Sequence, residues 1–187
     1  MSQAPGTDQQ SKADWIESVM RQHEAVLLRY ALSLTGEPER ARDAVQDTFL
    51  RLCQQERTAL EGHLAPWLFT VCRNRILDGL RKDQRMTQLE DDQAETQECA
   101  APNPAATAER DDSSRAVLSL MNELPLNQRE VVRLKFHAQL SYQEISDVTS
   151  LSVTNVGFLL HTALKTLRRR WKELETSPTP RPTSSAA

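Results

Sequence analysis

"LSYQEISDVTSLSVTNVGFLLHTALKTLRRRW", residues Leu140 to Trp171, starts polar, becomes apolar at every third or fourth position and ends in three consecutive arginines. Ser141 and Glu144 stand in S-x-x-E spacing, which starts a helix by a reciprocal cap. Ile145 and Val148 face inward, and this helix stops near Thr149. Ser152 offers a second N-cap ahead of Val153. From there Val153, Val156, Leu160, Ala163, Leu164 and Leu167 form one apolar stripe at three-four spacing. Two helices joined by so short a turn have helix-turn-helix geometry.

At about 100° per residue the face opposite that stripe holds Thr154, Phe158, His161, Thr162, Lys165 and Arg169. On a recognition helix these side chains point into the DNA major groove. Arg168, Arg169 and Arg170 are placed to neutralise phosphates. Phe158 has two readings: contact with a thymine methyl, or absorption by a neighbouring element. His161 has no partner at metal-ligand spacing.

The rest of the chain is also helical in pattern. It has 187 residues, 39% hydrophobic and 26% charged, with only five glycines. Helix formers dominate. "DWIESVMRQHEAVLLRYALSLTG" reads as one helix, or two with a break, stopping at Gly36. "PERARDAVQDTFLRLCQQ" follows, with Pro38 in its first turn and an apolar stripe of Ala41, Ala44, Val45, Thr48, Phe49, Leu52 and Cys53. "APWLFTVCRNRILDGLRKDQR" starts a third helix near Pro66. "SSRAVLSLMNEL" ends before Pro125. In "LNQREVVRLKFHAQ" Asn127 and Glu130 stand in capping-box spacing.

Charge divides the chain. Residues 1–85 carry 12 basic and 12 acidic side chains, residues 86–114 one and eight, and residues 115–187 ten and six. The acidic stretch, rich in Ala, Pro and Gln, has no apolar period and reads as a flexible linker. The expected organisation is a disordered tail at 1–12, a helical unit at 13–85, the linker at 86–114, the helix-turn-helix unit at 115–175 and a disordered tail at 176–187. The fold class is all-α, two small domains on an acidic tether. The linker's charge is expected to repel DNA from the free protein.

Several classes are excluded by pattern. No apolar stretch is long enough to span a membrane, and the N-terminus lacks a signal-peptide pattern, so the expected compartment is the cytoplasm. Cys53, Cys72 and Cys99 lack zinc-type spacing; Cys53 and Cys72 read as small buried hydrophobes and Cys99 as exposed. No catalytic residue, metal, cofactor or small-molecule substrate is expected.

Two blocks of the sequence resemble one family. "ARDAVQDTFLRL" with "LAPWLFTVCRNRILDGLRKDQR" is similar to domain 2 of the bacterial RNA polymerase sigma factors of the extracytoplasmic-function type. "NELPLNQREVVRLKFHAQLSYQEISDVTSLSVTNVGFLLHTALKTLRRR" is similar to their domain 4. The resemblance implies a chain that binds core RNA polymerase, through the β′ clamp helices and the β flap, and directs it to promoter DNA. Asp43, Gln46, Asp47, Phe49 and Leu50 would meet the clamp helices. Trp67, Asn74, Arg75, Asp78, Arg81, Lys82 and Arg85 would read and open the −10 element; Trp67 at a helix start also reads as core. The −35 element would be read by Thr154, Asn155, Phe158, His161, Thr162, Lys165, Arg168 and Arg169. Many members carry Arg or Lys early in that helix and Arg where Thr162 stands; this chain has no basic side chain there before Lys165. An anti-sigma factor is the expected regulator. The alternatives are a helix-turn-helix regulator that works without polymerase and a helical adaptor.

Overall fold

A computed structural model describes residues 6–90 and 112–176, with side chains over 11–83 and 116–174. Seven α-helices and no strand occur among the described residues. Most of the linker, Cys99, the tail beyond Thr176 and the side chain of Arg85 lie outside them.

Helix α1 (Gly6–Thr35) is continuous and begins inside the stretch expected to be a tail. Gly36 ends it at φ 75°, a left-handed value that glycine adopts without a Cβ clash. The Thr35 hydroxyl donates to the Ala31 carbonyl and accepts from the Glu37 amide, fixing the corner. Helix α2 (Pro38–Cys53) places Pro38 in its first turn and buries Ala41, Ala44, Val45, Thr48, Phe49 and Leu52. Cys53 corrects its expected burial: it is exposed, because one residue past Leu52 the helix has turned its side chain off the stripe. A short 3-10 turn at Arg57–Leu60 leads to α3 (Leu64–Glu90). This helix starts two residues before Pro66 and runs past residue 85 into the acidic stretch.

In the second unit α4 (Asp112–Asn122), α5 (Leu126–Phe136) and α6 (Tyr142–Thr149) pack on α7 (Val153–Thr176). The Asn127–Glu130 cap does not form. Pro125 is the N-cap of α5 and makes no side-chain cap bond, so the helix starts before Asn127 and leaves Glu130 in its second turn, out of reach of the first. The Ser141–Glu144 capping box does form, with Ser141 Oγ accepting from the Glu144 amide at 3.2 Å and Glu144 accepting from the Ser141 amide at 2.7 Å. Ser150 closes α6 at φ 60°. Ser152 Oγ accepts from the Asn155 amide and starts α7.

The two units are not separate. Helix α6 packs on α3 and α5 on α1, so one buried cluster runs from Val19 through Phe69 and Leu134 to Ala163. Tyr30 meets Phe69 edge-to-face at 5.2 Å inside it.

Candidate polymerase-docking and nucleic-acid interfaces

The turn from α6 to α7 is short because Ser150 takes a left-handed conformation and Ser146 Oγ donates to the Leu151 carbonyl at 2.5 Å. Val156, Leu160 and Ala163 are buried, and this fixes the rotation of α7. Thr154, Asn155, His161, Lys165, Arg168 and Arg169 are exposed on its outer side, with Thr162 half-buried beside them. Phe158 is 66% exposed, so no neighbouring element has absorbed it. Val153, expected on the inner stripe, is exposed, because the first turn of α7 projects beyond the packed helices. Arg170 also departs from expectation: it is half-buried and ion-paired with Glu123 just past the end of α4, which takes it out of the outward basic cluster. Arg169 has an i,i+4 neighbour in Glu173 at 3.8 Å.

On α3, Asn74, Asp78 and Arg81 form one exposed row, with Arg81 reaching Asp78 at 3.4 Å. Arg75 and Lys82 are exposed too, and they line a cavity of about 360 Å³ between α2 and α3. Trp67 packs against the core, as its alternative reading had it.

The exposed ridge of α2 has two flanks. Asp43 and Asp47 lie toward α3, where Asp47 pairs with Arg51 at 3.0 Å and approaches Arg75 at 3.8 Å. Gln46 and Leu50 lie toward α1 and line a groove of about 510 Å³ with Met20, Glu24 and Leu28. Leu50 is 57% exposed, whereas Phe49 is buried and forms the groove's floor. Sequence reasoning missed the α1 wall, because Met20 belongs to the same periodic stripe as true core residues.

Sequence reasoning also missed a polar cluster between the units. Glu130, 7% exposed, accepts from Tyr30 Oη at 2.7 Å and from Arg73 Nε at 2.8 Å. Burial, and after it the Glu130 charge, raises the Tyr30 hydroxyl well above the usual tyrosine value. Burial pulls the Arg73 guanidinium down, but the hydrogen bond and charge of Glu130 outweigh it and the net direction is upward. One turn on, Arg133 donates to the Arg29 carbonyl at 3.3 Å. Burial, with Arg129 nearby, lowers Arg133 to about 10. Burial, with Arg133 and Arg29 adding to it, lowers His137.

Two family models match the chain in order: Sigma-70 region 2 over residues 19–86 and Sigma-70 region 4 over residues 114–167. The ECF RNA polymerase sigma factor SigL of Mycobacterium tuberculosis is 31% identical over 169 residues, which is 88% of this chain and 93% of that protein. The chain belongs to the ECF RNA polymerase sigma factors. A second relative, the ECF sigma factor SigM of Bacillus subtilis, is 29% identical over 82% of this sigma factor and 93% of SigM. The fold is similar to that of the sigma factor RpoE solved with the anti-sigma factor NepR from Bartonella quintana. That match has a TM-score of 0.59 and 22% identity, over 83% of this sigma factor and 98% of that chain. CnrH, solved with the cytosolic domain of CnrY, matches at a TM-score of 0.53 and 23% identity, over 84% and 88%. No described helix of the sigma factor is long and apolar enough to cross a membrane. Among its described residues no cluster of His, Cys, Asp and Glu is arranged to hold a metal ion.

Proposed function

We infer that this chain is the dissociable subunit that gives a bacterial RNA polymerase its promoter specificity. The observation that carries the reading is the ordered double match to sigma regions 2 and 4, with a relative at 31% identity spanning 88% of the chain. The chain supplies no catalytic group; nucleotidyl transfer belongs to the polymerase, and the sigma factor works by position.

The roles follow from the chemistry of each face. The α2 ridge and the groove beside it dock on the β′ clamp helices: Leu50 and Gln46 fill an apolar seat, Phe49 supports it from below, and Asp43 and Asp47 meet basic groups. Domain 4 rides on the β flap. The row of Asn74, Asp78 and Arg81, with Arg75, Lys82 and Arg85, takes the −10 strand. Opened DNA needs cations against phosphate and side-chain amides or carboxylates against base edges, and this set carries both. The outer face of α7 reads the −35 duplex. With no basic side chain there before Lys165, direct readout rests on Thr154, Asn155, His161 and Thr162, and Phe158 meets thymine methyls. Two weak contacts tethered to one polymerase act at high effective concentration, so modest base discrimination at each suffices. The chain works in the cytoplasm. Its regulator is an anti-sigma factor, as NepR is in the solved complex of RpoE.

Run-off transcription tests the reading. Core polymerase plus this chain initiates at a defined subset of a genomic promoter pool, and core alone does not. A chain that binds duplex DNA but never co-elutes with core polymerase is a regulator of another kind.

A further inference from the structure

We propose that Glu130 latches the free chain shut, by joining domain 4 to Tyr30 and Arg73 of domain 2, and that the latch must break before the chain can hold a promoter. The proposal rests on the sigma-factor reading for its consequence, but not for its geometry.

Glu130 sits on α5, 57 and 100 residues from its two partners, and both bonds cross between the domains. Arg133, one turn further along the same face, adds a third bond to the Arg29 carbonyl. The contact of α6 with α3 brings the helix-turn-helix beside the very helix that carries Asn74, Asp78 and Arg81. A globule of this size has a radius of gyration of about 15 Å. The −10 and −35 labels differ by 25 base pairs, or roughly 85 Å of duplex at 3.4 Å each. One closed body cannot sit on both. Opening strips Glu130 and Arg73 of their mutual pairing and parts the apolar seam of α6 on α3, whereas the apolar contacts within each domain remain. The closed population therefore depends on this triad more than on any surface ion pair. A chain competent only when open has its apparent affinity reduced by the open fraction.

The test uses the full chain with Cys99→Ser, spin-labelled at the exposed Cys53 of α2 and at Ser119→Cys on α4; Cys72 is buried and stays unlabelled. Double electron–electron resonance gives the distance between domains. Free wild type shows one short, narrow distribution. Glu130→Gln shifts most molecules to long, broad distances with helical content by circular dichroism unchanged. Tyr30→Phe, which keeps the ring on Phe69, shifts a smaller share. The exchanged pair Glu130→Arg with Arg73→Glu restores the short distance. Glu130→Gln also raises apparent affinity for core polymerase severalfold, because a larger share of the chain is open. A broad distribution in wild type, or an unshifted one in both Glu130→Gln and Tyr30→Phe, overturns the latch. If the distances respond as stated yet no variant binds core polymerase, the latch stands and the sigma-factor reading fails.

Discussion

Phe158 offers the sharpest separation of folding from recognition. With 66% of the side chain exposed, truncation to alanine removes almost no packing. Stability should stay within about 0.5 kcal/mol of wild type, the range of ordinary surface changes. Binding is different. An aromatic side chain offers roughly 200 Å², of which about 130 Å² is open in the free protein. If half of that is covered by a thymine methyl and the adjoining sugar, about 65 Å² leaves water, worth about 1.6 kcal/mol at 25 cal/mol per Å². That is close to a fifteenfold loss of affinity. The assay is fluorescence anisotropy of holoenzyme on a −35 duplex selected from a randomised pool. Replacing individual thymines by uracils removes only the methyl group. One replacement should weaken wild type severalfold and leave Phe158→Ala indifferent. Melting lowered by several degrees in Phe158→Ala, or unchanged DNA affinity, would refute the reasoning.

Three further outcomes follow from the same geometry. Burial raises the Cys72 thiol from 9.0 to about 12, and a bond with Thr48 offsets part of this. The folded state therefore favours the neutral thiol; its contribution is complete below pH 9 and is lost as pH rises toward 12, by at most about 4 kcal/mol. Urea midpoints should fall over that window, and a thiol reagent should modify Cys53 at once but Cys72 only on unfolding. Ser141→Ala removes the capping box of α6 and should cost about 1 kcal/mol by denaturant titration. The Glu144 carboxyl is held below its usual value by its bonds to Ser141, so this contribution exists above that value and disappears as pH falls through the lowered one. Leu50→Ala should leave melting unchanged and weaken core-polymerase binding about tenfold in competition binding, from roughly 1–2 kcal/mol of lost apolar contact.

Local chemistry made much of the fold legible. The Ser141–Glu144 box, the Gly36 stop and the stripe from Val156 to Leu167 are each written within a single helix or at its end, and each stands where its spacing puts it. The outward direction of Phe158 also followed from helical period alone. What was illegible depended on distant partners. Asn127 and Glu130 have the spacing of a cap, but Pro125 starts α5 earlier, and Glu130 is recruited by side chains far away in sequence. Arg170 reads as one of three equivalent arginines until the position of Glu123 is known. Cys53 and Val153 fail at the margins of their stripes, where one residue's rotation, or a projecting first turn, decides burial. The candidate site was readable as faces; which members of a face are already engaged with one another was not.

Because Glu130 is committed across the seam and Pro125 brings no side-chain oxygen, the opening turn of α5 has uncapped amides. That turn is therefore held by the packing of α5 on α7 and α6 rather than by a cap. Under the proposed latch, the helix that carries Glu130 keeps its seat on α7 while it gives up its partners across the seam, so the part that lets go is itself a firm body.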